Sequence, residues 1–177
     1  MRVFVTGAAG FIGSGVVPDL IAAGHTVTGL ARSDANVKTL KRMGADVLRG
    51  SLKDIDSLKR GSAEADGVIH LAFIHDFAKF AENGQIDKRA IEAMGETLTG
   101  TNKPLVVTSG VGLLAPGRLS TEEDVARVGE SIPRVSENAA LPFATRGVRV
   151  SAVRLQQVHG ADGKASCVEY LFSIERD

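Results

Sequence analysis

Three glycines, Gly7, Gly10 and Gly13, stand three residues apart directly behind the apolar run Val3-Phe4-Val5. Such a turn, between a strand and a helix, suits the binding of a diphosphate. Gly7 can take the tight turn, Gly10 lets the backbone come close to the phosphates, and Gly13 lets the helix close onto the strand. The amides of Ala9, Gly10, Phe11, Ile12 and Gly13 then face the ligand, backed by the positive end of the helix dipole. A glycine motif alone is weak; the strand before it and the helix after it complete the required βαβ unit. A second pair able to do chemistry is Thr108-Ser109, two hydroxyls at the end of the apolar run 105–107. Hydroxyls at a strand end can hydrogen-bond a substrate oxygen.

These residues need a scaffold, and the hydrophobic pattern supplies one. Strands are predicted at 3–6, 26–30, 46–49, 67–71, 105–108 and 148–154. Helices are predicted at 11–23, from Ser33 or Asp34 to Met43, from the Asp54 cap to about Arg60, at 85–98 and at 136–146. Gly24 ends the first helix as a left-handed cap, and Gly44 ends the second. In the helix at 85–98, Ile86, Ala90, Ile91, Met94 and Leu98 share one face. Between the fifth strand and the last helix lies a loop of about twenty-five residues, long enough to suggest a functional role. Strand–helix alternation with nearly continuous apolar strands predicts an α/β fold whose parallel sheet is covered on both faces. Right-handed crossovers then give a doubly wound sheet in the order 3-2-1-4-5-6, with ligands beyond the carboxyl ends of the strands.

The bulk composition narrows the function. The chain has 177 residues, 44% of them hydrophobic, which suits one domain with a real core. Its 21 basic and 21 acidic residues cancel, so there is no electrostatic footprint for nucleic acid or an anionic membrane. No apolar run is long enough to span a bilayer. No charged segment followed by an apolar one marks a signal peptide. A single cysteine, Cys167, excludes an internal disulfide and fits a reducing, cytoplasmic setting. His25, His70, His75 and His159 are scattered, and no Cys/His spacing suits a metal.

Together the stretches TGAAGFIGSGVV at 6–17, HTVTGLARS at 25–33, GVIHLAF at 67–73, PLVVTSG at 104–110 and VRVSAVRLQQVHG at 148–160 resemble the short-chain dehydrogenase/reductase superfamily. The resemblance is to its extended or atypical branch, the NAD-dependent epimerase/dehydratase family, and covers residues 1–160. It implies a Rossmann-type, three-layer α/β/α dinucleotide-binding domain over 1–160, with 161–177 as a short tail. It also implies hydride transfer on a small carbonyl or sugar-like substrate.

At the tip of the second strand, Ala31 stands where a carboxylate would hold the adenosine ribose of NAD. Arg32 and Ser33 can instead grip a 2′-phosphate, by a charged fork and a hydroxyl. This favours NADP over NAD, with Asp34 as a competitor for the ribose. The resemblance assigns the adenine contact to Ser51-Leu52, where the family carries Asp-Leu. It sets the Leu71-Ala72-Phe73 backbone beside the cofactor ribose. His70 reads equally well as a satisfied core histidine. The resemblance also assigns the substrate-binding hydroxyl to Thr108 or Ser109.

The family's Tyr-x-x-x-Lys proton relay is absent. Pro133 and Glu137 occupy its expected places, and the only tyrosine, Tyr170, is far downstream with Ile174 four residues on. Arg134 and Glu137 could substitute, but read better as charges on a helix face. Val158-His159-Gly160 matches the start of a substrate-binding region that the tail does not continue, so the chain reads as a shortened relative. Three functions stay open: an atypical NADP-dependent oxidoreductase or epimerase/dehydratase-like enzyme, a catalytically silent NADP-binding module, and a partner-interaction protein. Helices 85–98 and 136–146 pair into homodimers in similar proteins, although Ile91 and Met94 read better as core.

Overall fold

Alternate residues of the first strand are buried on opposite sides, which is possible only in a sheet covered on both faces. Phe4 is fully buried against one layer of helices, and Val3 and Val5 against the other. We describe this from a computed structural model, which describes residues 1–114, 117–127, 129 and 134–156. The strands are β1 Arg2–Thr6, β2 Thr26–Ala31, β3 Asp46–Arg49, β4 Gly67–His70, β5 Pro104–Gly110 and β6 Arg149–Leu155. They form one parallel sheet in the order β3-β2-β1-β4-β5-β6, as expected.

The helices are α1 Gly13–Ala22, α2 Asp34–Arg42, α3 Ile55–Glu64, α4 Phe80–Leu98 and α5 Ser136–Ala140. One core, with Phe4, Leu58, Ile91, Met94, Leu105 and Phe143, lies under α3, α4 and α5. The other, with Val5, Val17, Val27 and Leu40, lies under α1 and α2. Ile91 and Met94 are wholly buried there, so the apolar stripe of α4 serves this chain's own sheet. Among the described residues no helix is long and apolar enough to cross a membrane.

Several boundaries differ from the sequence expectation for local reasons. Phe11 and Ile12 belong to the turn rather than to α1. α3 runs on through Gly61 to Glu64, because that glycine is a packing site and not a stop. A Cβ on Gly61 would lie 2.5 Å from the Phe4 ring. α4 starts at Phe80, five residues earlier than the predicted Gln85, behind a 3₁₀ turn at Phe77–Lys79 that Asp76 caps. The helix predicted at 136–146 is α-helical only to Ala140 and continues as a 3₁₀ helix over Leu141–Arg146. Pro142 has no N–H to give to the α ladder there. Gly24, at φ of +83°, takes the left-handed conformation expected of it, and Gly44, at +81°, takes it too.

Candidate functional site

The turn behind β1 is fixed by contacts that exclude side chains. Gly7 has φ of +70°, and a Cβ on it would sit 2.7 Å from the Ala72 amide nitrogen. A Cβ on Gly13 would lie 2.3 Å from the Gly7 carbonyl oxygen. A Cβ on Gly10, by contrast, would have only the Gly7 carbonyl oxygen within 4 Å, at 3.1 Å, so that face of the turn is open. α1 starts without a side-chain cap. Among the described residues the amides of Phe11, Ile12 and Gly13 find no acceptor. Consecutive amides without acceptors at a helix start can hydrogen-bond an anion. The segment after β4 runs behind this turn: Leu71 donates to the Thr6 carbonyl, and the Ala72 amide reaches Thr6 Oγ1 at 3.4 Å.

Past β2, Arg32 is exposed and Ser33 is the N-cap of α2, accepting from the Asn36 amide at 3.2 Å. Asp34 is not the cap: its carboxylate pairs with Arg49 at the end of β3. Ser51 accepts from the Lys53 amide, and Leu52 lines a cavity of about 340 Å³ with Ile55 and Ile86.

The ends of β4 and β5 carry a buried polar chain that the sequence reading missed. His70 Nδ1 lies 2.7 Å from Thr6 Oγ1, and Nε2 lies 2.9 Å from Asp87 Oδ1. Ser136 donates to Asp87 Oδ2 at 2.6 Å. Arg134 Nε donates to Ser136 Oγ at 3.2 Å, and its Nη2 to the Thr108 carbonyl at 3.0 Å. His70 is therefore a core histidine with both nitrogens partnered, and it links the glycine turn to α4 and α5. Asp87 and Ser136 gave no sequence signal beyond polar residues on amphipathic helices.

Arg134 and Glu137 are not helix-face charges, contrary to expectation. The Arg134 guanidinium lies 4.4 Å over the Phe73 ring. Burial pushes it below its ordinary value, and Asp87, behind Ser136, partly offsets this. Glu137 is only 2% exposed. Arg154 Nε lies 3.0 Å from its Oε1, and Nη2 lies 2.8 Å from Oε2. Burial pushes the Glu137 carboxyl up, but the Arg154 hydrogen bonds, the Ser109 hydroxyl and the Arg154 charge outweigh it and leave it below the usual carboxylate range. Ionised and paired, Glu137 holds no proton to give at neutral pH. Arg154 also donates to the carbonyls of Thr121, Glu122 and Asp124, so the pair fastens the loop after β5 to the sheet.

Thr108 and Ser109 both lie inside. The Thr108 hydroxyl donates to the His70 carbonyl at 3.1 Å. Ser109 Oγ is buried beside Glu137 and makes no well-aligned hydrogen bond. His75 meets the edge of Phe73, with ring centroids 5.3 Å apart. Partial burial and the neighbouring Arg134 charge hold its imidazole below the ordinary value. Pro133, His159, Cys167, Tyr170, Ile174 and the tail 161–177 lie outside the described residues.

The geometry agrees with comparisons to known proteins. Residues 3–112 match the model of the NAD dependent epimerase/dehydratase family. An uncharacterized protein of Schizosaccharomyces pombe is 47% identical over the whole chain, which covers 60% of that relative. The structure of MoeE5 in complex with UDP-glucose and NAD superposes with a TM-score of 0.70 at 28% identity, covering 93% of this chain and 57% of that one. The Bordetella bronchiseptica enzyme WbmH, in complex with NAD+, superposes with a TM-score of 0.75 at 19% identity, covering 99% and 62%. The chain thus spans about 60% of the length of these proteins. With its Rossmann-type sheet, its glycine turn and these matches, the chain belongs to the NAD-dependent epimerase/dehydratase family of the extended short-chain dehydrogenases/reductases.

Proposed function

We propose that the chain binds a nicotinamide dinucleotide, NADP in preference to NAD. On that cofactor it serves an oxidoreductase or epimerase/dehydratase-like reaction of a small carbonyl or sugar-like substrate. The observation that carries this reading is the uncapped start of α1, where the amides of Phe11, Ile12 and Gly13 lack acceptors beside the open face of Gly10. These groups fit a diphosphate. When bound, the nicotinamide supplies hydride transfer. The chain's own residues hold and orient it: the amides of the turn at the diphosphate, Leu71 and Ala72 behind it, and Leu52 and Ser51 toward the adenine.

The preference for NADP rests on charge. Ala31 offers no carboxylate to the ribose, Asp34 is engaged by Arg49, and Arg32 is exposed with no acidic partner among the described residues. Ser33 has one lone pair committed to capping α2 and a hydroxyl proton still to give. Of the two hydroxyls we assign the substrate oxygen to Ser109, buried beside Glu137, because Thr108 is already given to the His70 carbonyl. The lone cysteine fits a reducing cytoplasm.

Calorimetric titration with NADPH and NADH side by side tests the reading. NADPH is expected to bind roughly ten- to a hundred-fold more tightly, the value of a charge-assisted contact to the 2′-phosphate. Arg32→Ala should erase most of that gap and leave NADH binding unchanged. No affinity for either dinucleotide in a folded sample overturns the reading, and equal affinities overturn the preference.

A further inference from the structure

The described arginines that engage side-chain carboxylates do so directly: Arg49 with Asp34, Arg118 with Asp124, Arg146 with Glu96 and Arg154 with Glu137. Arg134 does not. Its nearest charged partner, Asp87, is separated from it by the Ser136 hydroxyl. Of the five N–H donors of a guanidinium, Arg134 uses two, on Ser136 and on the Thr108 carbonyl. Nη1 makes no hydrogen bond among the described residues. The group is nevertheless held, its central carbon 4.4 Å over the Phe73 ring and its Nη2 anchored at the carboxyl end of β5. A positioned, half-buried cation with spare donors, and with no carboxylate bonded to it among the described residues, is open to an anionic partner.

Sheet order says which ligand could complete it. The free amides of the glycine turn lie at the end of β1, and Arg32 lies beyond β2. Arg134 is on the opposite side, two strands from β1, past β4 and at β5. Two strand spacings amount to about 10 Å. A diphosphate at the turn and a 2′-phosphate at Arg32 therefore leave this guanidinium to whatever sits beyond β4 and β5.

We infer that Arg134 is a binding residue for a carboxylate on the substrate, so that the substrate class is a small organic acid. The proposal rests on the reading above that cofactor and substrate meet beyond these strand ends. The planar fork suits a carboxylate, and the stacking on Phe73 lowers the ordering cost of binding. His75, next to both, stays uncharged near neutrality and so adds no competing cation.

The test uses the full chain, with malonate as the acid probe and malonamide as its neutral counterpart. Calorimetric titrations are run with and without NADPH. Malonate is expected to bind and malonamide not to. Arg134→Gln should weaken malonate roughly 10- to 100-fold, the value of a hydrogen bond to a charged group. Arg134→Lys should fall between, and NADPH affinity should not change in either variant. The proposal is overturned if the native chain has no affinity for malonate in either condition, or does not distinguish the two probes. It is also overturned if Arg134→Gln binds malonate unchanged, or loses NADPH in step with malonate, which would make Arg134 a cofactor residue. Should Arg134→Gln fail to fold, Arg134→Lys and the malonate–malonamide contrast in the native chain decide. Loss of NADPH binding in the native chain with malonate binding intact would instead sink the dinucleotide reading alone.

Discussion

Glu137 is buried against Arg154, and its neutralisation gives the sharpest measure of that pairing. In Glu137→Gln the side chain keeps its shape and loses its charge. Two Arg154 nitrogens, now 2.8–3.0 Å from carboxylate oxygens, would face an amide instead. Removing one partner of a buried pair costs about 3–5 kcal/mol. The Arg154 side chain is 17% exposed and keeps carbonyl acceptors at Thr121, Glu122 and Asp124, so the lower end, about 3 kcal/mol, is expected. For a chain of this size that lowers the thermal midpoint by roughly 6–12 °C. Circular dichroism melts of the native chain, Glu137→Gln, Arg154→Met and the double variant would give the coupling directly. The double variant should cost less than the sum, because it removes the stranded cation as well. Glu137→Lys, which would install the family's residue type, sets an ammonium beside Arg154 and should be worse than Gln. The pH dependence has a definite sign. The folded carboxyl titrates below its ordinary value, so its contribution is complete above about pH 4.5 and is lost as the pH falls through the folded pKa. The gap between native chain and Glu137→Gln should therefore close in acid. A loss under 1 kcal/mol at neutral pH, or a gap that widens in acid, refutes the account of Glu137 as a buried, ionised anchor.

Two further outcomes follow from the turn and from His75. Gly13→Ala would put a Cβ 2.3 Å from one backbone oxygen and 2.5 Å from another. It should weaken NADPH by at least about tenfold and cost roughly 1–3 kcal/mol in melts. Gly15→Ala, whose Cβ would have nothing within 4 Å, should be neutral or stabilising. In an NMR titration His75 should gain its proton below the ordinary histidine range. Arg134→Gln should move that titration up, since the guanidinium charge is one of its causes. Because burial favours neutral His75 in the folded chain, its effect on stability is felt only as the pH drops below about 6.5. An unshifted His75 in Arg134→Gln would place the guanidinium away from the ring.

The fold and the glycine turn were legible in the sequence because their causes are local. Val3-Phe4-Val5, the three glycines, the Ser33 and Asp54 caps and the left-handed Gly24 and Gly44 each act within a few residues, and their order dictates a parallel sheet. The third helix runs four residues past the expected Arg60, and the last turns 3₁₀ after Ala140, where packing at Gly61 and the missing N–H of Pro142 overrode periodicity. The polar chain at the end of β5 was not legible at all. Thr6 meets His70 from 64 positions away, Asp87 meets Ser136 from 49, and Glu137 meets Arg154 from 17. Whether a charged residue on an amphipathic helix faces water or a buried partner depends on which strand end the fold brings beneath it. Residue types at local spacing carry no record of that neighbour. The sequence by itself thus determined a Rossmann-type scaffold with a glycine turn behind its first strand. Only the tertiary structure decided that Glu137 is paired from within by Arg154, while among the described residues Arg134 reaches a carboxylate only through Ser136. The reason is that charge compensation inside a protein is set by distances across the sheet and not along the chain.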